Sequence, residues 1–430
     1  MSDPASPARV ANSFTVRFGY WLAFAFVVVG LFNAMPGIPG LDALVADLTG
    51  QTQLRIRRFP FEYFYPIAFF VMMLIVALRQ INTRKRMKER KPLALVLDIA
   101  LVVMAAAISL AYLNEIQSVC LADQITGDRA RLIEQALQIE KENAALFGMP
   151  EPTTVDDPQC LNTLGGWLVA IVGVAVTVFL ANAVRVWGLP LVIVAILVAG
   201  WAFTTILVWY FFGADDLNKY LVTKLGGEPR TLADGYSRVH DILTSNASGL
   251  LGRFMSIVLN EIFPYLILGS LFGVSAGGQS LIKLAFRWTR SLRGGPAHAA
   301  VVSSAMFGTI SGGPVVNVLS TGVLTIPMML KRGFSRTFAG GIEAAASSGG
   351  TIMPPVMGVA AFILASMTAV PYNDVIIAAL IPAIAFFFCL FLSVVFQARR
   401  QNIQAVGEFT PEMHMSRQDI LNLIMIFGPI

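Results

Sequence analysis

Two short clusters of glycine, proline and small polar residues interrupt apolar sequence between Phe307 and Gly358. The first reads Phe307-Gly308-Thr309-Ile310-Ser311-Gly312-Gly313-Pro314-Val315-Val316-Asn317, and the second Ser347-Ser348-Gly349-Gly350-Thr351-Ile352-Met353-Pro354-Pro355. Hydroxyl, carboxamide and unwound-backbone oxygens suit a hard cation, and the amino ends of half-helices suit an anion. In lipid an unpaired backbone N–H or C=O costs several kcal/mol, so unwound chain at membrane depth must be covered by protein or line a polar cavity. Two such interruptions close in sequence are the pattern of a transporter's ion and substrate site. No paired His or Cys stands at ligand spacing and no nucleophile motif is present, so an enzyme is not expected. His298 and His414 are expected to be solvated loop residues.

Charge dictates how the clusters must be held. From Gly294 to Leu330, 37 residues carry no Asp, Glu, Lys or Arg. Arg287, Arg290 and Arg293 precede them and Lys331, Arg332 and Arg336 follow, which puts both ends in the cytoplasm. Two full spans need about 40 apolar residues plus a turn, and one span would separate the ends. A re-entrant hairpin over 297–330, turning at Ser311-Gly312-Gly313-Pro314, meets both constraints. Pro314 falls in the first turn of the outgoing limb, where its missing N–H costs little, and the glycines permit the turn and a close approach of backbone. The segment 336–370 reads as one discontinuous crossing: an inner half-helix, an unwound middle, and an outer half-helix from about Val356. Pro354-Pro355 cannot continue a helix, and Ser347 to Thr351 offer freed carbonyls and hydroxyls. Glu343 either faces the site as an ion-coupling carboxylate or lies buried against a neighbouring helix. Helix packing also favours small residues, but it does not account for Gly-Gly-Pro and Pro-Pro between matching basic flanks.

The rest of the chain is the scaffold. Of 430 residues, 56% are hydrophobic and 13% charged, with a mean hydropathy of +0.69. Soluble domains carry about 25% charged residues, so the chain is a polytopic membrane protein with the lipid bilayer as its solvent. The net charge of +5 comes from basic residues clustered between apolar segments, and no nucleic-acid partner is expected. Spans are expected near Phe18–Met35, Tyr63–Leu78, Leu93–Leu113, Leu164–Val184, Leu189–Phe212, Ile257–Val274 and Val375–Phe396. The basic loop 79–91 fixes a cytoplasmic N-terminus and puts the acidic loop 114–161 outside. There Leu132, Ala136, Ile139 and Leu146 recur at helical spacing. Cys120 and Cys160 flank this loop and either pair or remain thiols; Cys389 suits lipid packing. Asp215, Asp216 and His240 are expected to be solvated, and Glu261 to anchor a span at the interface. The expected organisation is a four-helix module over 1–187, a larger module over 188–400, and over 401–430 a cytoplasmic linker and the start of a further helix.

The run Gly308 to Gly312, Asn317, and the run Glu343-Ala344-Ala345-Ala346-Ser347-Ser348-Gly349-Gly350-Thr351-Ile352-Met353-Pro354-Pro355-Val356-Met357-Gly358 resemble a known signature. It is that of fused permeases of the tripartite ATP-independent periplasmic (TRAP) transporters, TAXI type. The resemblance covers about residues 190–400; over 1–187 it rests on the count and order of spans, which match the small four-helix subunit. It implies an all-α polytopic fold in which a four-helix N-terminal module precedes the first repeat of an elevator-type transporter domain. It further implies sodium-gradient-driven uptake, across the bacterial inner membrane, of an organic acid delivered by a periplasmic substrate-binding protein. Carried over by position, sodium falls to Ser311, Gly312, Asn317, Ser348 and Gly349. The wider ion and substrate set adds Thr309, Gly313, Ser347, Gly350, Thr351, Pro354 and Pro355. Sodium is the coupling ion, and no cofactor is implied. Two positions depart from the family pattern: Gly313-Pro314 stands where a serine commonly follows the first glycine of the tip, and Thr351 where Gln is frequent. The family's second inverted repeat has no counterpart here, so the chain reads as truncated after the first. A channel whose re-entrant loop lines a pore is the alternative.

Overall fold

The computed structural model describes residues 14–35, 59–87, 92–212, 243–244, 249–407 and 414–428. Asp215, Asp216, His240 and part of the basic loop (Lys88, Arg90, Lys91) lie outside them. The protein is an all-α polytopic membrane protein: no strand occurs among the described residues, and seven helices are long and apolar enough to cross a bilayer. The chain falls into two compact units. The first comprises Met1–Phe32 and Gly37–Ser256, the second Asn33–Pro36 and Ile257–Ile430. This division falls at Ser256/Ile257 rather than at the boundary expected at 187.

The first unit contains α1 (Phe14–Ala34), α2 (Phe61–Met87), α3 (Pro92–Glu115), α4 (Leu121–Thr126), α5 (Asp128–Phe147), α6 (Gly166–Trp187) and α7 (Leu189–Phe212). The long helices are apolar on all sides, as spans must be. Polar contacts therefore decide their pairing. Ser109 of α3 donates to the Pro66 carbonyl of α2 at 2.9 Å. Asp98 of α3 is fully buried and meets Arg185 of α6 at 2.9 Å, while Asn182 donates to Leu97 O and accepts from Arg185. The pair balances a charge that hydrocarbon would not tolerate alone.

The acidic loop is tied down rather than loose. Cys120 and Cys160 form a disulfide with Cα atoms 5.4 Å apart. Asp123 accepts from Leu161 N and Asn162 N at 2.8 and 3.1 Å, Glu115 accepts from Leu164 N, and Arg129 holds Asp157 and the Pro158 carbonyl. The helical spacing in this loop is realised as α5, with Leu132 and Ala136 half-buried but Ile139 and Leu146 exposed.

In the second unit a π-helix (Ile257–Ile262) leads into α8 (Phe263–Val274), with Glu261 exposed. Then come α9 (Ala276–Thr289), α10 (Gly295–Ser311), α11 (Pro314–Lys331), α12 (Arg336–Gly349) and a 3-10 turn (Gly350–Ile352). The unit closes with α13 (Val359–Thr368), α14 (Tyr372–Arg400) and α15 (Arg417–Phe427). Helix α10 is central and touches α8, α9, α11, α12 and α14. Its small residues Ala297, Ala299, Ala300, Ser303, Ser304 and Gly308 are buried, which lets backbones approach. His298 corrects the sequence reading: it lies inside α10, fully buried, with its ring 4.0 Å from that of Phe391. Gly294, at φ 73°, turns the chain so tightly that the helix starts before His298. Helix α15 docks on α9, where Asp419 accepts from Ser280 at 2.6 Å and pairs with Lys283 at 3.0 Å.

Without reductant, alkylation of the denatured protein should label one thiol, that of Cys389, and after reduction three. Replacing Cys160 by Ser reopens a loop of 40 residues and should lower stability by about 4 kcal/mol in thermal or denaturant unfolding. Three labelled thiols without reductant would show the bridge to be absent.

Candidate functional site

The chain turns between α10 and α11 at the expected residues, although α11 is by itself long and apolar enough to cross a bilayer. Helix α10 ends because Gly312 adopts φ 55°, its N–H reaching back to Gly308 O at 3.1 Å. Gly313 is extended, and Pro314 opens α11 in its first turn. The limbs have 17 and 18 residues, about 26 Å each at 1.5 Å per residue, against a hydrocarbon core of about 30 Å. The limbs therefore run deep.

The facing element breaks at Pro354-Pro355 as expected, but Ser347 to Gly349, whose carbonyls were expected to be freed, are still within α12. Helix α12 gives way to the 3-10 turn, a cis Pro354–Pro355 bond and Met357 at φ 51°, and α13 begins at Val359 rather than near Val356. Backbone polar groups of the break are satisfied locally. Gly358 N donates to Thr351 O at 2.7 Å, Thr351 Oγ1 to Ser348 O at 2.8 Å, and the Tyr372 phenol reaches Val356 O at 2.6 Å and Pro355 O at 3.1 Å. Tyr372 is itself stacked on Phe362, ring centroids 4.4 Å apart.

Hairpin and break meet backbone to backbone. A Cβ on Gly308 would lie 2.4 Å from Gly350 Cα, and one on Gly312 would lie 1.7 Å from Met357 O. A third crossing sets Gly269 of α8 against Ser311, where a Cβ would come within 2.7 Å of the Ser311 Cβ. Beside the first crossing, Asn317 is buried and its Nδ2 donates to Ser304 O at 2.9 Å. Ser347 is fully buried one turn before the break, and its Oγ has no hydrogen-bond partner among the described residues. A buried hydroxyl without a partner is costly and is the kind of atom a bound ion or water satisfies.

The expected residues do not all converge. Ser311, Gly312, Asn317, Gly350 and the chain around Pro354–Gly358 come together at the crossings. Thr309 Oγ1 and Ser311 Oγ turn back to carbonyls of their own helix, Met306 O and Phe307 O. Ser348 is exposed. Gly349 is demanded by packing, since a Cβ there would meet Phe386 at 2.2 Å. Glu343 is buried against α11, accepting from Thr321 at 2.5 Å and Thr325 at 2.6 Å, and Gly322 leaves room for its stem. Thr321, Thr325, Ser304 and Tyr372 were not singled out from the sequence. Asn317, Thr321 and Thr325 do recur every four residues, a polar stripe on one helix face that was there to be read.

Replacing Gly308 by Ala should force the crossing apart and cost about 1–3 kcal/mol in thermal unfolding of the detergent-solubilised protein. Gly340→Ala, where nothing lies within 4 Å of the added methyl, should be neutral or stabilising. Equal behaviour of the two variants would remove the close crossing.

A family described as "Tripartite ATP-independent periplasmic transporter, DctM component" matches residues 174–429. Among curated proteins the chain is 29% identical over 163 residues to the C4-dicarboxylate TRAP transporter large permease protein DctM of Vibrio cholerae, covering 37% of this chain and 35% of that one. It is 38% identical over 94 residues to the isethionate TRAP transporter permease protein DctMQ of Oleidesulfovibrio alaskensis, 21% of this chain and 15% of that protein. It is 25% identical over 173 residues to the DctM of Pseudomonas aeruginosa, 39% and 40% of the two chains. The chain thus spans well under half the length of these relatives.

Proposed function

Because this chain belongs to the family of DctM components of tripartite ATP-independent periplasmic transporters, we propose that it acts in sodium-gradient-driven uptake of an organic acid anion across the bacterial inner membrane. A periplasmic substrate-binding protein delivers the anion. The relatives' names, C4-dicarboxylate and isethionate permeases, support a small organic anion as the substrate class. The family is one of permeases rather than enzymes. The TAXI-type signature from Glu343 to Gly358 and the order of spans before it support a small subunit fused ahead of the large one, with a cytoplasmic N-terminus.

The observation that carries this reading is the pair of backbone crossings, Gly308 on Gly350 and Gly312 on Met357. They bring a hairpin tip and a helix break together beside the buried Asn317, with the buried Ser347 one turn before the break. Sodium is cargo here, and hard oxygen donors suit it. Asn317 Oδ1, Ser347 Oγ and carbonyls at the two helix ends are of that kind. The carboxyl end of α10 points negative dipole toward the tip, which favours a cation, and the amino end of α11 favours an anion beside it. An elevator movement follows naturally if tip and break travel as one body, because their contact leaves no room for sliding.

In proteoliposomes with an imposed sodium gradient, Asn317→Ala and Ser347→Ala should each raise the sodium concentration for half-maximal uptake about tenfold, the loss of one ligand worth about 1.4 kcal/mol. Membrane insertion should be unaffected. Sodium dependence unchanged in both variants would withdraw the site, and uptake indifferent to sodium in the unaltered protein would withdraw the coupling.

A further inference from the structure

Glu343 lies deep in the second unit, 1% exposed, and takes part in no ion pair among the described residues. Around it stand Ser304 of α10 and Asn317, Thr321 and Thr325 of α11, all at most 1% exposed. These side chains form one connected set. Thr321 Oγ1 is 2.5 Å from Glu343 Oε1, 3.4 Å from Asn317 Oδ1 and 3.4 Å from Ser304 Oγ, and Thr325 Oγ1 is 2.6 Å from Glu343 Oε2.

Counting protons shows what the set lacks. A hydroxyl has one proton to give and a carboxylate has none. Each threonine hydroxyl also lies near a carbonyl of its own helix, Thr321 Oγ1 2.8 Å from Asn317 O and Thr325 Oγ1 3.0 Å from Thr321 O. A hydrogen bond to an ionised acceptor is about twice as strong as a neutral one, so with Glu343 ionised both protons go to it. Asn317 has its Nδ2 committed to Ser304 O at 2.9 Å. Its Oδ1 faces only Thr321, whose proton is already spent. The set is therefore rich in acceptors and short of donors, and with Glu343 as a carboxylate it holds a buried negative charge. A cation supplies both deficits at once.

We propose that Glu343, with Thr321 Oγ1 and Ser304 Oγ, forms a second cation site that adjoins the tip site and shares Asn317 Oδ1 with it, in which the carboxylate balances the charge of a transported sodium ion. This rests on the sodium-coupled reading above. The donors come from both hairpin limbs and from the broken helix, so an ion there ties α10, α11 and α12 together. Gly322 is part of the design: a Cβ at that position would press to 3.1 Å on Glu343 Cγ and push the carboxylate out of register.

The test is sodium-dependent thermal stabilisation of the full chain in detergent, with potassium at equal ionic strength as the control, alongside sodium-dependent uptake. Glu343→Gln keeps the shape and brings its own N–H donors, so a purely structural carboxylate should tolerate it with its sodium response intact. The proposal expects the half-saturating sodium concentration to rise at least about tenfold, and Glu343→Asp to recover part of the loss. A sodium response in Glu343→Gln equal to that of the unaltered protein overturns the site. So does a Glu343→Gln protein that has the stability of the sodium-bound form without sodium, since a proton would then meet the deficit. An unaltered protein that sodium does not stabilise overturns the sodium reading itself, and the two failures are told apart by that control.

Discussion

The structure depends on backbone packed directly against backbone where two helices are broken in a medium without water. Gly308 lies on Gly350, and Gly312 lies under the Met357 carbonyl, with no space for a side chain at either place. Lipid cannot hydrogen-bond the groups released by a broken helix, so each break must be covered at van der Waals distance. Two breaks facing each other solve this jointly: each is the other's cover. Most of the second unit is arranged around that solution. Helix α10 is lined with alanine, serine and glycine because its neighbours must come close, and α11 and α12 pack on it from either side of the turn.

What cannot be covered is bonded. The Tyr372 phenol reaches in from α14 to the Pro355 and Val356 carbonyls, Thr351 folds back on Ser348, and Phe386 fills the notch at Gly349. Helix α14 thereby holds the break in shape from outside while the hairpin tip closes it from inside. Met357 sits at positive φ, a conformation that costs a non-glycine residue of order 1–3 kcal/mol and persists only where its surroundings impose it. Here the surroundings are the tip itself.

The breaks, their basic flanks and the all-helical membrane fold were legible in the sequence because each is a property of one segment. Gly312-Gly313-Pro314 must turn, and Pro354-Pro355 must end a helix. Contacts between segments left no such mark. His298 follows a glycine pair and a proline and reads as loop, yet α10 begins early enough to bury it beneath Phe391, a residue 93 positions along the chain. Asp98 gives no local sign of its partner, since Arg185 stands 87 residues away. Tyr372 carries no signal at all, because its role is set by where α14 passes the break.

Asp98 and Glu343 pose the same problem and meet it differently. Each is a carboxylate buried in a membrane unit, a placement hydrocarbon makes costly. Asp98 has a fixed answer: Arg185 supplies the opposite charge at 2.9 Å, and Asn182 orients the guanidinium. The pair joins α3 to α6 and leaves no unbalanced charge. Glu343 has only hydroxyls, and hydroxyls divide a negative charge without neutralising it. In a unit built solely to be stable, an arginine or lysine on α10 or α11 would remove that imbalance. No arginine or lysine pairs with Glu343 among the described residues, and the one lysine of α11, Lys331, lies exposed at its far end; on the proposal above, the charge is left to an ion that arrives and departs. A resident cation locks helices together, whereas a travelling one locks them only while it is aboard, and a cycle driven by a gradient needs the second arrangement.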